Sequence, residues 1–212
     1  MVPSEICRTS ESGSSVDDSG ETGDCSGDGR KSIKAGTDTL AADSDDPPCL
    51  CVNSTGGHAG CLVNLSLRTG DVNPSISGYV DRLLAEASVI AGADGGVLNV
   101  MVVDEPQMTS LHHQFKGVDG VTDVLAFDLR SSNVAPLEAD IVICLDVAVR
   151  QATARGHQVR AEVLLYAVHG LLHLLGMNDG EADEASAMHG REDEILTAIG
   201  VGPVYHVEEG VR

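Results

Sequence analysis

The feature that most constrains the fold of this 212-residue chain is its longest apolar stretch, residues 163–177, which two histidines interrupt. His169 and His173 lie four residues apart, with leucines at positions 171, 172, 174 and 175. The stretch falls short of the roughly 18 uncharged apolar residues of a membrane span, so it predicts a helix in the core of a domain. Two imidazoles on such a helix cost free energy unless their ring nitrogens find partners.

Patterns of alternating and helical periodicity extend from about residue 61 to residue 200. Strands are predicted over 61–68, 97–103, 121–129 and 140–145, and helices over 76–87, 104–115, 146–155, 159–175 and 181–199. Strands and helices alternate early, whereas helices cluster late. We therefore predict an α+β fold, with a single domain over 59–204 in which a small mixed sheet of about four strands packs against helices.

The two ends of the chain differ from this domain. Residues 1–58 are dominated by Ser, Gly, Asp, Glu and Thr. So little apolar surface cannot offset the entropy of ordering the backbone, and an acidic, disordered arm is predicted. Residues 205–212 are expected to form a short tail.

The formal net charge of −20 argues against broad affinity for nucleic acids, because an acidic surface repels phosphates at long range. Residues 61–212 alone carry 22 acidic and 9 basic side chains. Aromatic residues are 2% of the chain and Trp is absent, so little is available for stacking bases. Any nucleic-acid function would need a local site or a partner.

The cysteines favour a reducing compartment. Four of the six lie in the first 51 residues, and no apolar run after a basic start indicates a signal peptide. We expect a cytoplasmic protein.

A metal site is predicted at the end of the apolar helix. His169 and His173 at positions i and i+4 lie on one helical face, Gly176 allows the chain to leave the helix, and Asp179 can then turn back toward both imidazoles. Two nitrogens and one carboxylate oxygen leave a fourth coordination position open, as in catalytic zinc sites. The alternative is a pair of core histidines satisfied by hydrogen bonds, and His189 is a rival third ligand.

Gly170 bears on the type of enzyme. Metallopeptidases with two histidines at this spacing carry a glutamate after the first histidine as general base. Glycine has no proton-accepting side chain. The sequence thus disfavours a zinc peptidase, which remains an alternative.

The block from His169 to Asp179 resembles the signature of the YbeY family, bacterial endoribonucleases that mature ribosomal RNA. Other segments are similar to that family in the same order, namely Val-Val-Asp-Glu at 102–105, the stretch 115–127 that contains Thr-Asp-Val-Leu-Ala-Phe, Ala-Asp-Ile-Val-Ile at 139–143, and the helix from Met188 to Ile199. The resemblance covers about residues 61–200.

The resemblance implies a zincin-like metal-binding helix and a single-strand-specific, metal-dependent endoribonuclease, a hydrolase of phosphodiester bonds. It implies one Zn²⁺ per chain, or another divalent metal, and a cytoplasmic role in maturing the 3′ end of 16S ribosomal RNA and in ribosome quality control. The implied partners are ribosomal RNA and the ribosome or a small-subunit protein. Neither a membrane nor a nucleotide cofactor is expected. A non-enzymatic ribosome-assembly factor stabilised by metal remains an alternative.

Two positions depart from the family pattern. The third ligand is usually His, and here it is Asp179. Its negatively charged oxygen shifts the metal preference of the site toward harder ions. Lys116 stands where the family usually has Arg, so the positive charge is kept and the bidentate fork is lost. We predict that Lys116 stabilises charge on the substrate phosphate; the alternative is an ordinary solvated lysine.

Overall fold

The computed structural model describes residues 6–8, 60–68, 74–93, 95–132 and 134–204. Apart from the three residues at 6–8, the acidic arm lies outside these ranges, as does the tail at 205–212. The predicted disorder of the arm therefore stays a prediction.

Among the residues that the structure describes, five strands form one mixed sheet in the order β1-β4-β5-β3-β2. The strands are β1 (Ile6–Arg8), β2 (Leu62–Leu67), β3 (Gly96–Val103), β4 (Val124–Asp128) and β5 (Leu137–Cys144). Strands β2, β3 and β5 run parallel, β4 is antiparallel to β5, and β1 is parallel to β4. The mixed sheet confirms the predicted α+β class. The fifth strand, β1, was not predicted, because three residues are too few to show an alternating pattern.

The described ranges contain five helices, as predicted: α1 (Pro74–Ala91), α2 (Glu105–Lys116), α3 (Leu145–Arg155), α4 (Val159–Leu174) and α5 (Ala182–Ala198). The predicted strand starts need two corrections. Strand β5 begins earlier than position 140 because it includes the outward-facing Glu138, which interrupts the apolar run. Strand β4 begins later than position 121 because Asp123 Oδ1 accepts a hydrogen bond from the Val124 amide (2.9 Å), which marks the strand start.

Buried side chains of the strands alternate between two cores, as the period of two in a strand requires. Helices α1, α4 and α5 contribute to the larger core with residues such as Leu83, Leu171 and Ile195, which pack with Ile141 of β5. Met108 of α2 packs in a smaller core with the side chains of β3, β4 and β5 that point the other way. The sheet thus has a main core on one face and a smaller one on the other.

Helix α4 is the centre of the main core. Every residue from Glu162 to Leu174 is buried, so this helix has no solvent-facing side over that length. Glu162, with 0% exposure, is paired with Arg155, whose Nη1 lies 2.8 Å from Oε1. Within the described ranges, no helix has the combination of length and apolar character that crossing a membrane requires.

Gly170 lies where α4 packs directly on the sheet. A Cβ at this position would lie 3.1 Å from Cγ2 of Ile141 and 3.4 Å from Cγ2 of Val124. A glutamate, as in the peptidases, would therefore be pressed into β4 and β5. The glycine is explained by close packing of helix on sheet.

This packing can be tested with two glycine substitutions. Replacing Gly by Ala inside a helix stabilises it by about 0.5–1 kcal/mol. We expect that gain at Gly190 of α5, where a Cβ meets nothing within 4 Å. At Gly170, overpacking costs about 1–3 kcal/mol and offsets the gain. Urea unfolding should therefore show G170A to be at least about 1 kcal/mol less stable than G190A. Equal stabilisation by both would contradict the close contact.

Candidate metal centre

The two imidazoles of α4 and the carboxylate of Asp179 lie at one point. Nε2 of His169 and Nε2 of His173 are 3.1 Å apart. Asp179 Oδ2 is 3.6 Å from the first of these nitrogens, and Oδ1 is 3.7 Å from the second. The three residues that the sequence indicated as ligands are thus brought together, and they form a group that can hold a metal ion.

The turn after α4 delivers the carboxylate. Gly176 has a φ of 98°, in the left-handed region that glycine adopts without strain. Its amide donates to the His173 carbonyl (2.9 Å), and the Met177 amide donates to the Leu172 carbonyl (3.0 Å). These two bonds form a Schellman motif, which ends the helix and reverses the chain. Asp179 follows within three residues.

Arg130 holds the end of α4 in place. Its guanidinium makes two hydrogen bonds to the Asp128 carboxylate (2.8 and 2.7 Å), at the end of β4. The same side chain donates to the Leu174 carbonyl at 2.8 Å, one of the last carbonyls of α4. The helix end that precedes the metal-site turn is therefore tied to the sheet.

The Nδ1 atoms of both histidines are occupied. His173 Nδ1 lies 2.9 Å from the Met177 carbonyl, which can only accept, so Nδ1 donates. His169 Nδ1 donates to Oε1 of Glu192 at 2.5 Å. With the proton on Nδ1, each neutral ring presents the lone pair of Nε2.

Two nitrogen lone pairs and a carboxylate therefore face one another, an arrangement that needs a positive charge between them. Around a tetrahedral zinc ion with bonds of about 2.0–2.2 Å, ligand atoms lie roughly 3.3–3.6 Å apart. The observed separations of 3.1, 3.6 and 3.7 Å are close to that spacing. The donor set and its dimensions fit one divalent ion.

The electrostatics also favour a single positive charge. Burial lowers the pKa of His169, but the hydrogen bond and charge of Glu192, together with the charges of Asp123 and Asp179, outweigh burial, so this pKa is raised overall. The pKa of His173 is lowered by burial and by the neighbouring His169. Asp123, which caps the start of β4, adds negative charge near His169.

Glu192 is the site residue that sequence reasoning missed. It lies on α5 with 1% exposure, and its second oxygen is 3.0 Å from Nδ1 of His189. That contact engages His189, the rival third ligand, with Glu192. A signal was available, because Glu192 occupies the apolar stripe of α5 otherwise formed by Met188, Ile195, Leu196 and Ile199. A charge in an apolar stripe indicates a buried partner.

Lys116 is not joined to this cluster. It is the last residue of α2 and is half-buried, and within the described part of the chain no hydrogen bond or ion pair involves its ammonium group. Three arginines of α3 and α4 are engaged with the protein itself. Arg150 pairs with Glu105, Arg155 with Glu162, and Arg160 lies over the ring of Tyr79.

Comparison with known proteins gives one family. The family model described as "Endoribonuclease YbeY" matches residues 67–200. A protein of that name from Geobacillus kaustophilus is 33% identical over 144 residues, which are 63% of this chain and 92% of the relative. One from Moorella thermoacetica is 32% identical over 152 residues, or 66% of this chain and 97% of the relative.

A third relative, from Nocardioides, has higher identity over a shorter span, 44% over 109 residues, or 48% of this chain and 73% of the relative. The family match includes the whole region in which the metal-site residues and their supports lie, from β3 to α5. The chain belongs to the YbeY family of endoribonucleases.

Proposed function

We propose that this protein is a metal-dependent endoribonuclease that cleaves single-stranded RNA, with His169, His173 and Asp179 as ligands of one divalent ion. The convergence of two Nε2 lone pairs and a carboxylate on one point carries the proposal. Membership of the YbeY family of endoribonucleases supports RNA as the substrate.

Zinc is the proposed ion. Two imidazole nitrogens and one carboxylate oxygen suit Zn²⁺, although the carboxylate also admits harder divalent metals. A bound zinc ion supplies Lewis-acid chemistry for phosphodiester hydrolysis. The protein's own contribution is to hold the three ligands rigidly, through α4, the turn at Gly176 and the hydrogen bonds at both Nδ1 atoms.

Lys116 is the proposed phosphate-binding residue. It is the only lysine after residue 34, and it has no internal ion-pair partner among the described residues. A cation beside the scissile phosphate stabilises the charge that develops as the bond breaks.

The proposed biological role is maturation of the 3′ end of 16S ribosomal RNA and ribosome quality control in the cytoplasm, with the ribosome or a small-subunit protein as partner. The acidity of the folded domain supports dependence on a partner, because 22 acidic side chains oppose 9 basic ones after residue 60. Long-range attraction of free RNA is weak under those conditions.

The first test measures metal content. Asp179→Ala and His169→Ala each remove one proposed ligand, so zinc affinity should fall at least about tenfold in competition with a chelator. Asp119→Ala and His113→Ala are matched controls, because these side chains are exposed and pair with each other at 3.0 Å. Elemental analysis that finds equal zinc in all four variants would refute the ligand assignment.

The second test measures RNA cleavage. A labelled single-stranded RNA should be cut by the wild type, and His173→Ala or a chelator should lower the rate at least about 100-fold, because the metal centre is lost. The same RNA in a duplex should resist cleavage. Casein should stay intact, since Gly170 supplies no general base. Cleavage of casein that a chelator abolishes would favour the peptidase, and growth rescue by a folded His169→Ala protein would favour a non-enzymatic factor.

The third test concerns Lys116. Lys116→Ala should lower kcat by about 10- to 100-fold with metal content unchanged, and Lys116→Arg should restore most of it, because charge is retained. Arg82→Ala is the control, since Arg82 pairs with Glu86 within α1. Cleavage by Lys116→Ala within twofold of the wild type would make Lys116 a solvated lysine.

A further inference from the structure

We infer that Glu192 is a positioning residue for the metal centre, which fixes the tautomer and the ring orientation of His169, and that His189 restrains Glu192 in turn. The inference rests on the proposed metal site. It concerns how the affinity of that site is set by a helix, α5, that contributes none of the three proposed ligands.

Burial of Glu192 is the first observation. Its carboxylate is 1% exposed within an apolar stripe, where a leucine would be the simpler choice for stability. A buried carboxylate is costly unless both oxygens are paired. Here both oxygens are paired, one with His169 Nδ1 at 2.5 Å and the other with His189 Nδ1 at 3.0 Å. The charge is therefore explained by the imidazoles that it contacts.

The two ligand histidines differ in how they are oriented. His173 Nδ1 donates to a backbone carbonyl, that of Met177, which no side-chain substitution removes. His169 depends on a side chain 23 residues further along the chain. Carboxylates that accept from a ligand imidazole fix its orientation and raise its basicity as a ligand. Glu192 can therefore tune the metal affinity through His169 alone.

His189 completes the arrangement from the outer side. It lies one helical turn before Glu192 on α5, and its side chain is 13% exposed. By donating to Oε2, it prevents the carboxylate from rotating away from His169. His189, Glu192 and His169 therefore form a chain of hydrogen-bonded side chains that ends at the proposed metal site.

The test compares zinc affinity among variants of the full chain. Glu192→Gln keeps the shape and removes the charge, and His189→Ala removes the outer donor. Glu194→Gln is the matched control, since Glu194 lies on the same helix with 69% exposure of its side chain. Affinity is measured by competition with a chromogenic chelator, and visible absorption of the cobalt(II)-substituted proteins reports the ligand geometry.

We expect E192Q to lose about 10- to 100-fold in zinc affinity and to change the cobalt spectrum. H189A should lose less affinity than E192Q, because His189 acts on His169 only through Glu192, and E194Q should match the wild type. Circular dichroism in chelator should show the same fold for all, which separates positioning from folding. If E192Q does not fold, E192D, which keeps the charge but shortens its reach, should show the affinity loss instead.

The same measurements distinguish a failure of the proposed metal site from a failure of the positioning role of Glu192. A wild-type protein that binds no zinc would overturn both the metal proposal and this inference. If the wild type binds zinc and a folded E192Q or E192D binds it within twofold, with an unchanged cobalt spectrum, the metal site stands and the positioning role of Glu192 is refuted.

Discussion

Helix α4 carries two imidazole rings through the middle of the main core, and the surrounding structure depends on pairing their nitrogens. Every residue from Glu162 to Leu174 is buried, so both rings are largely withdrawn from solvent. Four hydrogen-bonding nitrogens therefore have to be matched from within the protein. Two Nδ1 atoms are matched by Glu192 and by the Met177 carbonyl, and two Nε2 atoms are left facing Asp179.

The elements around α4 each meet part of this requirement. The turn at Gly176 brings both the Met177 carbonyl and Asp179 back to the rings, and Arg130 ties the helix end to β4. Gly170 allows the helix to lie directly on the sheet, which leaves no room for the glutamate of a peptidase. Gly170 thus has two effects: it allows close packing of α4 on the sheet, and it leaves the site without the general base of a peptidase.

Much of the fold could be predicted because long elements have strong periodicity. All five helices and four strands follow the predicted pattern, whereas strand starts shifted where a single polar residue altered the local signal, as at Glu138 and Asp123. Strand β1 could not be predicted, since it pairs with β4, which lies more than 100 residues away. Pairing between distant segments leaves no local pattern.

By itself the sequence determined the α+β class and the His169, His173 and Asp179 constellation, because helical spacing and a glycine exit are local properties. Only the tertiary structure decided which way each imidazole faces. Glu192 reaches His169 across 23 residues, and Lys116 lies on a separate helix, α2. The orientation of each imidazole ring depends on hydrogen-bond partners that are brought close by the packing of the helices and not by their spacing along the sequence.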